Sequence, residues 1–216
     1  MKRRNAARAA QVHTPMLFEE GRRDVAELSQ WFTHPKTAEV LHLWARLKPG
    51  ARVLEPSCGD GALIRLRLDL DWTAVDVDRS RGARLPEAVP FICADFLQLT
   101  INELGHFDAI MMNSPYEDGA DLDHLTHALD FGTEVIALVK GDIDFTVGRW
   151  ERLWKWVRSP AEKLTFIRRP DFGGEHGAMT DFVAWRLRGR SPREHTWRRS
   201  YPRGPSDPLE VKQVWV

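Results

Sequence analysis

Asn113-Ser114-Pro115-Tyr116 carries the residue types most suited to chemistry in this 216-residue chain. A side-chain amide offers a fixed acceptor to an amino group. Proline fixes φ and stiffens the turn. An aromatic ring can stack on a flat heterocycle. Together they suit an exocyclic amine on a nucleobase, although the tetrapeptide alone also reads as an ordinary strand-ending turn. The upstream segment Glu55-Pro56-Ser57-Cys58-Gly59-Asp60-Gly61 shifts that balance. Its glycines let the backbone turn sharply and lie against a ligand with no Cβ in the way. Asp76 follows at about the distance at which an acid binds ribose hydroxyls in dinucleotide sites. Asp95 can accept from an adenine amino group, and Phe96 can cover an adenine face.

These residues need elements to hold them. Phe107–Met112 is an apolar run that predicts a buried parallel strand ending at Asn113. Further strands are predicted over 51–54, 73–77, 89–94 and 134–139. Helices are predicted over 23–31 and 35–47, from about Gly61, and over 121–131. The helix over 35–47 places Val40, Trp44 and Leu47 on one face, and Pro49-Gly50 ends it. This alternation predicts a parallel sheet with helices on both faces. Trp150, Leu153, Trp154 and Val157 have helical spacing and predict an apolar stripe packed on the sheet or an aromatic wall beside a cleft. Two last strands are expected over 163–168 and 181–187.

Phe32–Pro35, Glu55–Gly61, Asp76 with Asp95-Phe96, and Asn113–Tyr116, taken in chain order, resemble class I S-adenosylmethionine-dependent methyltransferases of the amino-methylating type, and most of all small phage or prophage DNA adenine-N6 methyltransferases. The resemblance spans residues 31–140 and continues more loosely to 187. Phe32-Thr33-His34-Pro35 resembles the N-terminal F-x-T-P-type segment with one residue displaced. It implies a Rossmann-like fold, mostly parallel, with an antiparallel C-terminal hairpin. It also implies S-adenosyl-L-methionine as cofactor, held by Thr33, Glu55, Pro56, Ser57, Cys58, Gly59, Gly61, Asp76, Asp95, Phe96 and Asn113. Asn113, Ser114, Pro115 and Tyr116 would be the catalytic segment. Asn113 Oδ1 and the Ser114 carbonyl would accept the two N–H bonds of the target amine. Tyr116, Phe172 and His176 would meet the base, the last two from a loop resembling the family's R-P-x-F segment. Ser114 departs from the family, which usually has proline there. Substrates that fit are adenine N6 or cytosine N4 in DNA, RNA adenine, or a protein glutamine amide. A non-catalytic cofactor-binding subunit is the reading from a different class.

The domain reading is a flexible basic arm over 1–22, one methyltransferase domain over 23–188, and an Arg-rich tail over 189–216. There are 31 basic and 31 acidic residues, so a nucleic-acid partner would meet a local basic face and not a basic protein. Such a face is offered by Lys2, Arg3, Arg4 and Arg8 and by the arginines between 186 and 203; solvated tails are the alternative. Little chain remains for target recognition, which is then expected to be short, relaxed, or supplied by a recognition partner or a homodimer. Two cysteines argue against a disulfide framework or a zinc site. No apolar run is long enough to span a bilayer, and no signal peptide is visible. The expected location is the cytoplasm of a bacterium or a phage-infected host, with no membrane partner and no metal.

Overall fold

The computed structural model describes residues 32–116, 119–144, 153, 157–166, 181–188 and 211–215. They form one eight-stranded sheet: β1 (Arg52–Glu55), β2 (Asp71–Asp76), β3 (Phe91–Cys93), β4 (Phe107–Asn113), β5 (Gly132–Lys140), β6 (Arg158–Thr165), β7 (Phe182–Arg188) and β8 (Val211–Trp215). The spatial order is β3-β2-β1-β4-β5-β7-β6-β8. Strands β1 to β5 are mutually parallel. β7 runs antiparallel between β5 and β6. The expected Rossmann-like sheet with its antiparallel C-terminal hairpin is therefore the observed one.

Chain order reverses between β1 and β4, which lie side by side with Val53 opposite Ala109 and Leu54 opposite Ile110. In open α/β sheets, ligands occupy the crevice beyond the strand ends at such a switch point. That crevice is where Glu55 and Asn113 emerge.

Alternation along each strand builds two cores. Leu54, Ile110, Met112, Val135 and Ala137 face α4 (Ala120–Ala128), which contributes Leu122 and Leu125. Val53, Ala109, Met111, Ile136 and Leu138 face the other way. They meet α1 (Pro35–Ala45) through Ala38, Leu41 and Ala45, and α2 (Ala62–Arg65) through Leu63 and Ile64. Proline at the first helical position and His34 as N-cap start α1. Its buried stripe is Thr37, Ala38, Leu41, His42 and Ala45, while Val40, Trp44 and Leu47 only flank the core. The helix stops at Arg46, which has φ +53 and turns its N–H back to His42 O, before Pro49-Gly50 is reached. α2 is a single turn and not the longer helix expected after Gly61. A third short helix, α3 (Ile101–Leu104), opens with a Thr100/Glu103 capping box.

β8 is a strand the sequence reading did not foresee. It lies in the segment assigned to the tail and pairs parallel with β6, Ala161 opposite Val211. The residues proposed for the arm over 1–22, the helix over 23–31 and most of the aromatic stripe after 150 lie outside the described residues. Leu153 and Val157 of that stripe are buried in the α4-side core.

His42 ties α1 to α2, its Nε2 lying 2.7 Å from Leu63 O. Burial holds its pKa below the ordinary histidine value. A base whose folded pKa is lowered takes up its proton later in the folded state than in the unfolded chain. Its contribution to stability is complete above about pH 6.5 and is lost as pH falls below it. Urea denaturation should therefore show a drop in stability between pH 7.5 and pH 5.5 that shrinks in His42→Gln.

Candidate active site

β1 delivers Glu55 to the strand ends with its side chain 3% exposed. Among the described residues its Oε2 has no hydrogen-bond partner. Burial, reinforced by the negative charges of Asp60 and Asp76, raises its pKa well above the carboxylate range. A buried oxygen without a donor is costly, and a cationic donor would satisfy an ionised carboxylate there best.

The loop after Glu55 is laced to β2. Cys58 N–H donates to Val75 O at 2.9 Å, and Gly61 N–H to Cys58 O at 2.8 Å. Gly59 and Gly61 have φ of +52 and +76, backbone that side chains with a Cβ rarely adopt. A Cβ on Gly61 would also come within 2.6 Å of Leu85. Asp76, expected at a ribose, organises this loop: one carboxylate oxygen accepts from Gly59 N–H at 2.8 Å and the other from Asp78 N–H at 2.9 Å. Pro56 and Cys58 are buried and Ser57 is half-buried. Burial also pushes the Cys58 thiol far up, which leaves it protonated and unreactive.

Phe32 lies over this loop. Its ring is 3.7 Å from where a Gly59 Cβ would stand, and the Arg81 guanidinium sits 5.2 Å from the ring centroid. Arg81 is itself held by Asp78 at 3.0 Å.

The adenine side differs from expectation in one residue. Asp95 stands at the end of β3 and caps a short 3-10 turn, accepting from Leu97 N–H at 3.0 Å. That turn carries Phe96 inward. The ring is 1% exposed and packs on His127 at 4.8 Å and Phe131 at 5.3 Å. As placed, Phe96 is a core residue and does not offer its face to a ligand. Val77 does face out: it follows Asp76 directly and is 53% exposed. The sequence reading passed over it because a lone valine after an acid reads only as a strand residue.

β4 delivers the tetrapeptide. Asn113 Nδ2–H donates to Thr33 Oγ1 at 2.9 Å. Thr33, expected on the cofactor, is thus tied to the Asn113 amide and fixes which way it points. Asn113 Oδ1 accepts a hydrogen bond from the Tyr116 hydroxyl. Ser114 is 2% exposed, with its Oγ buried and without a partner among the described residues, and Pro115 is exposed. Tyr116 was expected to stack on a base. It lies 3% exposed, its ring edge-on to Phe182 with centroids 5.0 Å apart. Burial, with Asp121 adding to it, raises the phenol pKa well above its ordinary value, so the hydroxyl stays a donor. Lys140, at the end of β5, donates to the Tyr116 carbonyl at 3.0 Å. Phe172 and His176 lie outside the described residues.

The structure thus brings together Thr33, Glu55, Gly59, Asp76 and Asn113 through direct bonds and adjoining strand ends. The residues fit S-adenosyl-L-methionine in kind: a buried carboxylate without a donor suits an ammonium, glycine backbone suits close approach, and two acids stand at neighbouring strand ends. Among the described residues no cluster of three His, Cys, Asp or Glu side chains could hold a metal. No described helix is long and apolar enough to cross a membrane.

No protein-family model matches the chain, and no curated protein matches it in sequence. Solved structures match it in fold. A protein assigned as an RNA methyltransferase from Pyrococcus horikoshii superposes with TM-score 0.59 at 17% identity, over 77% of this chain and 89% of that one. A modification subunit assigned to a type I restriction enzyme of Vibrio vulnificus gives TM-score 0.62 at 14% identity, over 87% of this chain and 47% of that one. The 23S rRNA methyltransferase ErmE gives 0.54 at 22% identity, over 75% and 70%. This chain has the class I methyltransferase fold. It spans less than half the length of the restriction subunit it resembles.

Proposed function

We propose that this protein is an S-adenosyl-L-methionine-dependent methyltransferase that acts on the exocyclic amine of a nucleobase, adenine N6 in DNA. One observation carries the proposal. An amide oriented by Thr33 stands at the tip of β4, and the neighbouring strand ends in a buried, donor-seeking carboxylate and a glycine loop.

When bound, the cofactor would supply a methyl group on a sulfonium, the new N–C bond forming as the C–S bond breaks with its pair left on the thioether sulfur and one amine proton released to solvent. The chain does the rest. Glu55 would take the ammonium, with Gly59 and Gly61 giving backbone access. The side chain of Asp76 already braces the loop and keeps lone pairs for ribose hydroxyls. Asp95 would accept from the adenine amino group of the cofactor, with Val77 against the ring. Asn113 Oδ1 and the Ser114 carbonyl would accept the two N–H bonds of the target amine. That draws lone-pair density onto a nitrogen otherwise delocalised into its ring and holds it at attack distance.

In the described arrangement the Tyr116 hydroxyl makes the bond to Asn113 Oδ1 that the amine must make. The entering base therefore has to displace that hydroxyl, and the freed ring becomes the surface on which it stacks. Stacking contributes about 1–3 kcal/mol per base, enough to offset much of the cost of extruding a base. Removing the competing bond while keeping the ring should help. Tyr116→Phe is expected to raise kcat/KM for the acceptor about twofold to tenfold, the range of one net hydrogen bond. Steady-state assays at saturating cofactor check this, and a fall would mean that the hydroxyl assists transfer.

The pool of acceptors tests the proposal. The protein is incubated with tritium-labelled S-adenosyl-L-methionine and unmethylated DNA, RNA or mixed protein, and DNA is expected to be labelled. Label in RNA alone would favour the second reading, adenine in RNA; two structural neighbours are described as RNA methyltransferases. Label in protein alone, or in nothing while cofactor binds, would overturn the nucleobase reading. A recognition partner or a second copy of the chain belongs to the same proposal.

A further inference from the structure

We propose that Lys140 is a positioning residue for methyl transfer, acting through Tyr116 on the Asn113–Tyr116 segment; this rests on the transfer reading above. Lys140 is the last residue of β5, two positions beyond Leu138, which lies opposite Asn113. On its other side it pairs with Phe182 of β7. Its Nζ donates to the Tyr116 carbonyl at 3.0 Å and lies 5.7 Å from the centroid of the Tyr116 ring. Phe182 meets the same ring from β7. The tetrapeptide is therefore tied at two points: Thr33 holds the Asn113 amide, and Lys140 holds the carbonyl three residues later.

The second tie matters because of what the segment lacks. Pro115 fixes its own φ and restricts Ser114, whereas Ser114, unlike a second proline, puts no ring constraint on its own φ or on the residue before it. If Tyr116 gives up its bond to Asn113 when a base enters, the segment loses an internal brace at the moment of transfer. The Lys140 bond goes to the backbone, so it persists whether the Tyr116 ring is packed inward or swung out. It keeps the Ser114 carbonyl and Asn113 Oδ1 aimed at the amine. A misplacement of about 1 Å at such a centre costs on the order of a hundredfold in rate.

The test compares Lys140→Met, which keeps the stem and removes the donor, with Lys140→Arg, which keeps a cationic donor. Three readouts are taken: kcat and KM, cofactor affinity by calorimetry, and amide hydrogen exchange of the peptide containing Asn113–Tyr116. Lys140→Met should lower kcat about tenfold to a hundredfold with cofactor affinity unchanged, and should speed exchange in that peptide. Lys140→Arg should stay within about threefold of the original on kcat, since it can still donate to the carbonyl. The inference is overturned by wild-type kcat in Lys140→Met, by equal losses in both variants, by a parallel loss of cofactor affinity, or by unaltered exchange. Should the unmodified protein transfer to no amine at all, the functional reading fails, and the exchange comparison alone decides whether the tether exists.

Discussion

Asn113→Ala should reduce methyl transfer about a hundredfold to a thousandfold, the usual cost of removing one preorganised partner from a transition state. The amide is held on both sides. Thr33 Oγ1 takes its N–H at 2.9 Å, and its Oδ1 faces the Tyr116 hydroxyl. Alanine therefore removes the acceptor for the amine and the anchor that aims it, but touches nothing in the loop over 55–61. Cofactor affinity should stay within about threefold, because no bond from that loop or from Asp76 is lost. The measurement is a pair: single-turnover rate and calorimetric cofactor titration on the same preparation. Parallel loss of rate and affinity would make Asn113 a structural residue.

Glu55→Gln should divide the two properties the other way. The wild-type carboxyl is buried, lacks a donor on Oε2, and has a pKa raised by burial and by Asp60 and Asp76. A group whose folded pKa is raised stabilises the fold fully below its unfolded value, and that stability is lost as pH rises through the folded value. Cofactor-free protein should lose this contribution as pH rises above about 4.5, and Glu55→Gln, which cannot ionise, should not. This trend runs opposite to that of His42, so the two are separated by variant and not by pH alone. Binding behaves in reverse. An ammonium needs the charged carboxylate, so wild-type affinity for S-adenosyl-L-methionine should improve with pH while that of Glu55→Gln stays flat. At pH 7.5 the variant should bind about tenfold to a hundredfold more weakly, the range of one charge-assisted hydrogen bond. Urea titrations of the free protein and calorimetry at pH 5.5 and 7.5 read both effects.

Much of this site is written locally. The β4 strand is legible because Phe107–Met112 is an apolar run long enough for a doubly covered strand and too short for most helices. The glycine loop is legible because Gly59 and Gly61 follow a strand directly, and both indeed have positive φ. The places where sequence reading misses depend on where a side chain turns after the backbone is set. Phe96 goes into the core because Asp95 starts a 3-10 turn, and nothing in Asp95-Phe96 distinguishes that turn from a continued strand. Tyr116 packs on Phe182, a residue of a distant strand whose register only the folded sheet defines. Lys140 reads as a solvated charge at a strand end, yet it reaches back to a carbonyl 24 residues earlier. β8 is five residues long and pairs only on one side, so its pattern is too short to stand out from an arginine-rich stretch.

In the proposed function, two adjoining strand ends join a donor site to an amine acceptor. Nucleoside mass spectrometry tests this most directly, on DNA and RNA recovered after reaction with the wild-type protein and with Asn113→Ala. N6-methyladenine is expected in the wild-type DNA, and about a hundredfold to a thousandfold less of it with the variant. Wild-type protein that binds S-adenosyl-L-methionine yet leaves every nucleoside in both pools unmethylated would contradict it.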